Sequence, residues 1–136
     1  MAKQTTILII DDSETIREIT IRIVEDLGFE AIAAATASEA LEICKDKSPN
    51  LVLLDWDLPK LTALDFLKGA AALDENDRPE IVLCATENDH QQFTLAKAAG
   101  AAHHILKPFD KQAVAAKFKE IGLLKSKPAG QSSAVA

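Results

Sequence analysis

The chain is short of basic residues, of cysteine and of long apolar runs. Lysine and arginine number 15 against 21 aspartates and glutamates, a formal net charge of −6, and only three of the cations are arginine. A nucleic-acid binder needs a basic footprint to neutralise phosphates, so this balance excludes that class of partner. Cys44 and Cys84 are too few, and too far apart in sequence, for a disulfide framework or a zinc site. Both lie among apolar neighbours and read as small core residues. No apolar stretch approaches the roughly 20 residues of a helical membrane span. Met1-Ala2-Lys3-Gln4 lacks the apolar core of a secretory signal, which leaves the cytosol as the expected location. What remains is 48% hydrophobic and 26% charged over 136 residues, the profile of one soluble globular domain large enough for a proper core.

The most informative stretch present is Leu51-Val52-Leu53-Leu54-Asp55-Trp56-Asp57-Leu58-Pro59. Four aliphatic residues running into an acid read as a strand buried on both faces, with Asp55 at its carboxyl end. Pro59 cannot continue a central strand, so the chain turns there. By itself Asp55 reads equally well as a turn residue.

Along the chain, Thr6 to Ile10 is a second β-branched run, and it also ends in acids, Asp11-Asp12. Ser13 predicts an N-cap, and Ile16, Ile19, Ile23 and Leu27 repeat at helical spacing up to Gly28. Residues 30–35 predict a short Ala-rich strand, and Ser38 predicts the cap of a second helix carrying Ala40, Leu41 and Cys44. After the strand ending at Asp55, Thr62 is expected to cap a third helix through Leu64, Phe66 and Leu67. Residues 81–85 form a fourth strand followed by Thr86, and residues 89–99 a fourth helix stopping at Gly100. Residues 103–106 form a fifth strand leading into Lys107-Pro108-Phe109, and Asp110 caps a last helix with Val114, Phe118 and Ile121 on one face. Residues 125–136 have no core-forming pattern and predict a disordered tail after a domain spanning 1–124.

Strands alternating with helices imply βαβ units with right-handed crossovers: an α/β fold, a three-layer doubly wound sandwich around a five-stranded parallel sheet. All strand carboxyl ends then open on one edge, where ligands bind in such folds. Four of them deliver chemistry: Asp11 and Asp12, Asp55, Thr86 and Lys107. Clustered carboxylates repel unless a cation neutralises them, and oxygen ligands of this kind suit Mg²⁺. With a hydroxyl and an ammonium beside them, these are the parts that phosphoryl transfer to a carboxylate requires.

This constellation, in this order, resembles the receiver domain of two-component response regulators, of the CheY-like, flavodoxin-like fold, over about residues 5–124. In that family an acidic pair ends the first strand, the phosphoacceptor Asp ends the third, Thr or Ser ends the fourth, and Lys precedes a Pro after the fifth. Asp11-Asp12, Asp55, Thr86 and Lys107-Pro108-Phe109 match one by one. The resemblance implies that Asp55 accepts the phosphoryl group. It implies Asp12, Asp55 and the backbone carbonyl of Asp57 as Mg²⁺ ligands, with Asp11 acting mostly through water. Thr86 would follow the phosphoryl group and Lys107 pair with it. The expected role is that of a signalling domain, limited to Mg²⁺-dependent self-phosphorylation and autodephosphorylation. A sensor histidine kinase or a histidine phosphotransfer protein would supply the phosphoryl group. With only a short tail after the last helix, a stand-alone receiver is expected. Its signal would leave by onward phosphotransfer or through a protein docked on the face of helix four, strand five and helix five.

Three positions depart from the family pattern. Ala63 stands where a Gly is frequent in the loop after the acceptor. His104 replaces the aromatic that swings with the Thr, which gives the switch a titratable ring. Glu87 stands where a small residue is usual; with Asp57 it is expected to tune the rates of phosphoryl entry and loss. His103 and His104 read as a strand-surface pair rather than metal ligands, and Trp56 as a half-buried cover beside the acceptor. Two rival readings remain. Asp55-Trp56-Asp57 looks like the Asp-x-Asp nucleophile of a haloacid-dehalogenase-type phosphatase, although that motif normally ends the first strand. The other rival is a degenerate receiver that serves only as an interaction module.

Overall fold

The computed structural model describes residues 5–57, 60–86 and 90–123, with residues 60–62 as backbone only. Within these, strands and helices alternate: β1 (Thr6–Ile10), α1 (Glu14–Asp26), β2 (Glu30–Ala34), α2 (Ala37–Lys47), β3 (Leu51–Asp55), α3 (Lys60–Ala71), β4 (Glu80–Ala85), α4 (His90–Ala98), β5 (His103–Leu106) and α5 (Lys111–Ile121). One turn of 3₁₀ helix, Glu75–Asp77, precedes β4. The strands pair in parallel in the order β2-β1-β3-β4-β5, the doubly wound arrangement expected from the alternation.

The continuous apolar runs form the inner strands because helices cover both sides of the sheet, leaving no solvent face for polar residues. Alternate residues serve opposite cores. Leu8, Ile10, Val52, Leu54 and Leu83 pack towards Ala40, Cys44, Phe66 and Ala96 of α2, α3 and α4. Ile7, Ile9, Leu51, Leu53, Val82 and Cys84 pack towards Val24, Val114 and Phe118 of α1 and α5. Phe66 and Phe118 are the largest side chains fully buried, one per core. Truncating either to Ala costs about 3–5 kcal/mol. Cys44 and Cys84 are free, buried thiols, and burial pushes them up to about 11 and about 12. They fill the core, as their apolar sequence context predicts.

Helix termini follow local chemistry in most places. Ser13 Oγ accepts from the Ile16 amide and Asp110 caps α5 through the Ala113 amide, both as read from the sequence. Gly28, just past α1, adopts φ 96°, a conformation that carries little penalty only without a Cβ.

Some termini depart from the sequence expectation. The cap of α2 is Thr36, not Ser38: its hydroxyl accepts from the Glu39 amide while Glu39 accepts from the Ala35 amide. The signature Thr36-x-x-Glu39 is a capping-box pattern, and reciprocal satisfaction of two amides favours it over a lone Ser two residues later. α3 begins at Lys60, so Thr62 stands in its first turn rather than at its cap, and its side chain lies outside the described residues. Ala63 likewise belongs to the helix and not to the preceding loop. Ala63, Phe66, Leu67 and Ala70 form one buried stripe, and burying that stripe sets where the helix starts. Glu87, Asp89 and the predicted tail 125–136 lie outside the described residues.

Candidate functional site

The register delivers the chemistry to one edge. Ile10 lies beside Leu54, and Asp55 beside Cys84, so β1 and β3 end together. Ala85 pairs with Leu106, and the Lys107 amide donates to Ala85 O at 2.8 Å, which holds Thr86 and Lys107 side by side past β4 and β5.

Asp11 and Asp55 are buried, whereas Asp12 is exposed. One carboxylate oxygen from each lies within 4.8 Å of the other two. Lys107 compensates part of this charge. Its Nζ lies 2.7 Å from Asp55 Oδ1, 3.4 Å from Asp11 Oδ2 and 3.9 Å from Asp57 Oδ2. Asp55 Oδ1 also accepts the Asp57 amide at 2.9 Å. Asp11 Oδ1 accepts the Ser13 amide at 2.9 Å.

These surroundings shift two groups. Burial is the largest influence on Asp11 and raises its carboxyl above the ordinary value; the Ser13 amide opposes this and the Asp55 charge adds to it. Lys107 suffers the opposite burial penalty, yet the hydrogen bond and charge of Asp55 outweigh it and raise its pKa overall. The ammonium therefore stays charged while the neighbouring carboxylates share it.

The described acid cluster fits a hard cation: three carboxylates within reach of one point, with a single lysine to offset them. Thr86 Oγ donates to Asp57 Oδ1 at 3.3 Å. Trp56 is half-buried against the α2/α3 core, and its amide donates to Cys84 O. His104 is stacked on Phe93 of α4, with ring centroids 4.0 Å apart and planes at 18°. His103 faces Glu80 at 3.6 Å and Glu120 at 3.9 Å, as a strand-surface residue.

Two contacts escaped the sequence reading. Arg17 donates to the main-chain carbonyl of Asp11 at 2.7 Å and so braces the acidic loop from α1. The Asp57 carboxylate reaches Thr86 directly. Arg17 carries no local signal, whereas the Asp55-x-Asp57 spacing past a strand end did place a second carboxylate at the mouth.

A family model described as "Response regulator receiver domain" matches residues 7–119. The chain belongs to the response regulator receiver family. Sporulation initiation phosphotransferase F of Bacillus subtilis is 36% identical over 104 residues, 76% of this chain and 82% of that protein. The structure of a CheY-like receiver from Methanospirillum hungatei superposes with TM-score 0.77 at 29% identity, covering 88% of this chain and 94% of that one. At 20% identity, TM-score 0.74 and coverage of 86% and 88%, the chain shares the fold of a Saccharomyces cerevisiae response regulator receiver crystallised with its histidine phosphotransfer protein.

This receiver is thus a signalling domain of two-component systems. The family binds Mg²⁺ at an acidic pocket, and Asp11, Asp12 and Asp55 form one here. The phosphatase rival falls on topology, because Asp55 ends the third strand, not the first. Among the described residues no helix is long and apolar enough to cross a membrane.

Proposed function

We propose that Asp55 is the phosphoacceptor and that the donor is a phosphohistidine on a sensor kinase or a histidine phosphotransfer protein. The observation that carries this reading is the asymmetry of the Asp55 carboxylate. Oδ1 is held by Lys107 and the Asp57 amide, whereas Oδ2 accepts no hydrogen bond from the described residues. Oδ2 is therefore the oxygen positioned to attack phosphorus. The O–P bond forms as the P–N bond breaks, and the electron pair returns to the donor imidazole, which takes up a proton.

A bound Mg²⁺ supplies charge neutralisation at the transferring oxygens; the carboxylates of Asp12 and Asp55 and the carbonyl of Asp57 would hold it directly, and Asp11 through water. Lys107 orients Asp55 before transfer and pairs with the phosphoryl group after it. Thr86, one residue beyond β4, reports the new charge. Glu87, the next residue, is the proposed brake on donor entry.

Beside Lys107 and Thr86 opens a largely apolar groove of about 350 Å³ lined by Ile16, Ile19, Pro108 and Phe109. Half-exposed Ile19 offers an apolar anchor there, which supports this groove as the seat of the donor protein. The name of the Bacillus relative, a phosphotransferase, supports onward transfer to another histidine. The face of α4, β5 and α5 is the proposed partner surface. Leu95 and Leu106 are 63% and 41% exposed there, and the Phe93–His104 stack ties it to the strand end.

Acetyl phosphate with Mg²⁺ is expected to add one phosphoryl group by mass, and Asp55→Asn to abolish it with the fold intact. Undiminished labelling of that variant would move the acceptor elsewhere. No labelling of the parent by any phosphodonor would favour the pure interaction module.

A further inference from the structure

The Thr86 hydroxyl carries a single proton to donate. In this structure the proton goes to the Asp57 carboxylate, with Oγ 3.3 Å from Oδ1. A Thr that follows the phosphoryl group must donate the same proton to a phosphoryl oxygen on Asp55. It cannot do both. We propose that the Asp57 carboxylate is the resting acceptor of the Thr86 hydroxyl, a latch that phosphorylation must break before the switch can close. This inference rests on the reading of Asp55 as phosphoacceptor and adds what holds the unphosphorylated state.

The geometry makes Asp57 a suitable competitor. Its amide donates to Asp55 Oδ1 at 2.9 Å, so its main chain is fixed relative to the acceptor. Its side chain is 43% exposed, against 4% for that of Asp55, so it can turn away into water once its partner leaves. Lys107 does not hold it strongly, being 3.9 Å from Asp57 Oδ2 but 2.7 Å from Asp55. The main chain just before Thr86 is anchored, because Ala85 O accepts the Lys107 amide. Exchange of partners therefore needs movement of Thr86 but no break in the sheet.

The direction of exchange follows from charge. A phosphoryl group brings about −1.5 to −2 charge and three strong acceptor oxygens. Those oxygens outcompete a single solvated carboxylate for the hydroxyl. The added negative charge also repels Asp57, two residues away. A hydrogen bond to a carboxylate that must be given up weakens whatever replaces it. Asp57 is thus a positioning residue that acts through Thr86 and never touches phosphorus.

The test is a double-mutant cycle of beryllofluoride affinity with Mg²⁺, on the full chain, using Asp57→Ala, Thr86→Ala and the pair. Asp57 is half-exposed and Thr86 exposed, so neither change opens the core. In the parent background Asp57→Ala is expected to tighten beryllofluoride about three- to tenfold. In the Thr86→Ala background only the salt-screened part of that gain, from loss of a negative charge, is expected to remain. In the free protein, the Thr86 methyl resonance of Asp57→Ala should move towards its position in the beryllofluoride-bound parent.

An equal gain in both backgrounds, or an unmoved Thr86 methyl, overturns the latch and leaves the acceptor assignment standing. Failure of beryllofluoride to bind the parent at all removes the acceptor assignment, and the latch with it.

Discussion

Two clusters of lysine and carboxylate sit at opposite ends of β5, and they behave in opposite ways. Past its carboxyl end, Lys107 lies 3.4 Å from Asp11, yet the Asp11 carboxyl is held above its ordinary value of 3.8. By its amino end, in the cluster around His103, Lys117 lies 3.0 Å from Glu120, and the Glu120 carboxyl is held below its ordinary value of 4.5. The separations are alike. The difference is water. Burial dominates at Asp11, and the charge of Asp55 adds to it, whereas Glu120 is solvated and feels chiefly the hydrogen bond and charge of Lys117. A pair distance does not tell whether an ion pair is at rest or poised; the two lysines are about equally buried, and the desolvation of the carboxylate makes the difference. The site end of β5 stores unfavourable negative charge that a cation can relieve, and the solvated Glu120 at the other end stores none.

The most severe way to break the contrast is to remove the buried cation. Lys107→Met leaves three carboxylates facing one another, and the expected loss is about 3–5 kcal/mol in urea unfolding, partly recovered by Mg²⁺.

Relief without mutation comes next. Mg²⁺ at a hundredfold excess over its Kd is expected to stabilise the parent by about 2.7 kcal/mol. Asp12→Ala should erase that response in a thermal melt. It should also raise the stability of the metal-free protein by removing one repelling charge. A full Mg²⁺ response in this variant would place the cation elsewhere.

A smaller effect tests burial on a third group between the two ends. Burial against Phe93 lowers the pKa of His104, with help from the charges of Lys117 and His90 and against that of Glu120. A histidine with a lowered folded pKa takes up its proton more readily when unfolded. Stability is therefore lost as pH falls through the unfolded value of about 6.5 towards the lower folded one. His104→Phe keeps a ring on Phe93 and should flatten stability over that window in unfolding curves at matched ionic strength. An unchanged slope would clear His104 of the pH dependence.

The smallest effect is expected from Lys117→Met, because its carboxylate partner Glu120 is solvated. It should leave the unfolding midpoint where it was, and any change should vanish in salt. Only a loss as large as that of Lys107→Met would undo the comparison.

Much of this was legible in the residues. β-branched and aliphatic runs ending in acids announced the strands and the edge on which their chemistry appears, because a parallel sheet buried on both faces needs such runs. Ser13, Asp110 and Gly28 marked helix ends through interactions that span only a few residues. Asp11, Asp12, Asp55, Thr86 and Lys107 were each identifiable by type and by place after a strand. Local reasoning failed where two signals competed. Ser38 and Thr36 are both good caps, and only the reciprocal partner Glu39 decides between them. Thr62 looked like a cap, but the buried stripe from Ala63 to Ala70 sets the start of α3.

The sequence by itself determined the order of the elements, the edge at which the acids emerge and the inventory of the site. These depend on hydrophobic periodicity and on residue type, which are local properties. Only the tertiary structure decided who holds whom. Lys107 chooses Asp55 over Asp57 by 2.7 Å against 3.9 Å, Arg17 reaches back to the Asp11 carbonyl, and Thr86 spends its one proton on Asp57. The Lys107 and Thr86 contacts follow from strand register, which brings residues 29 to 52 positions apart to one sheet edge, and the Arg17 contact from how α1 leaves β1; residue type alone encodes none of these pairings.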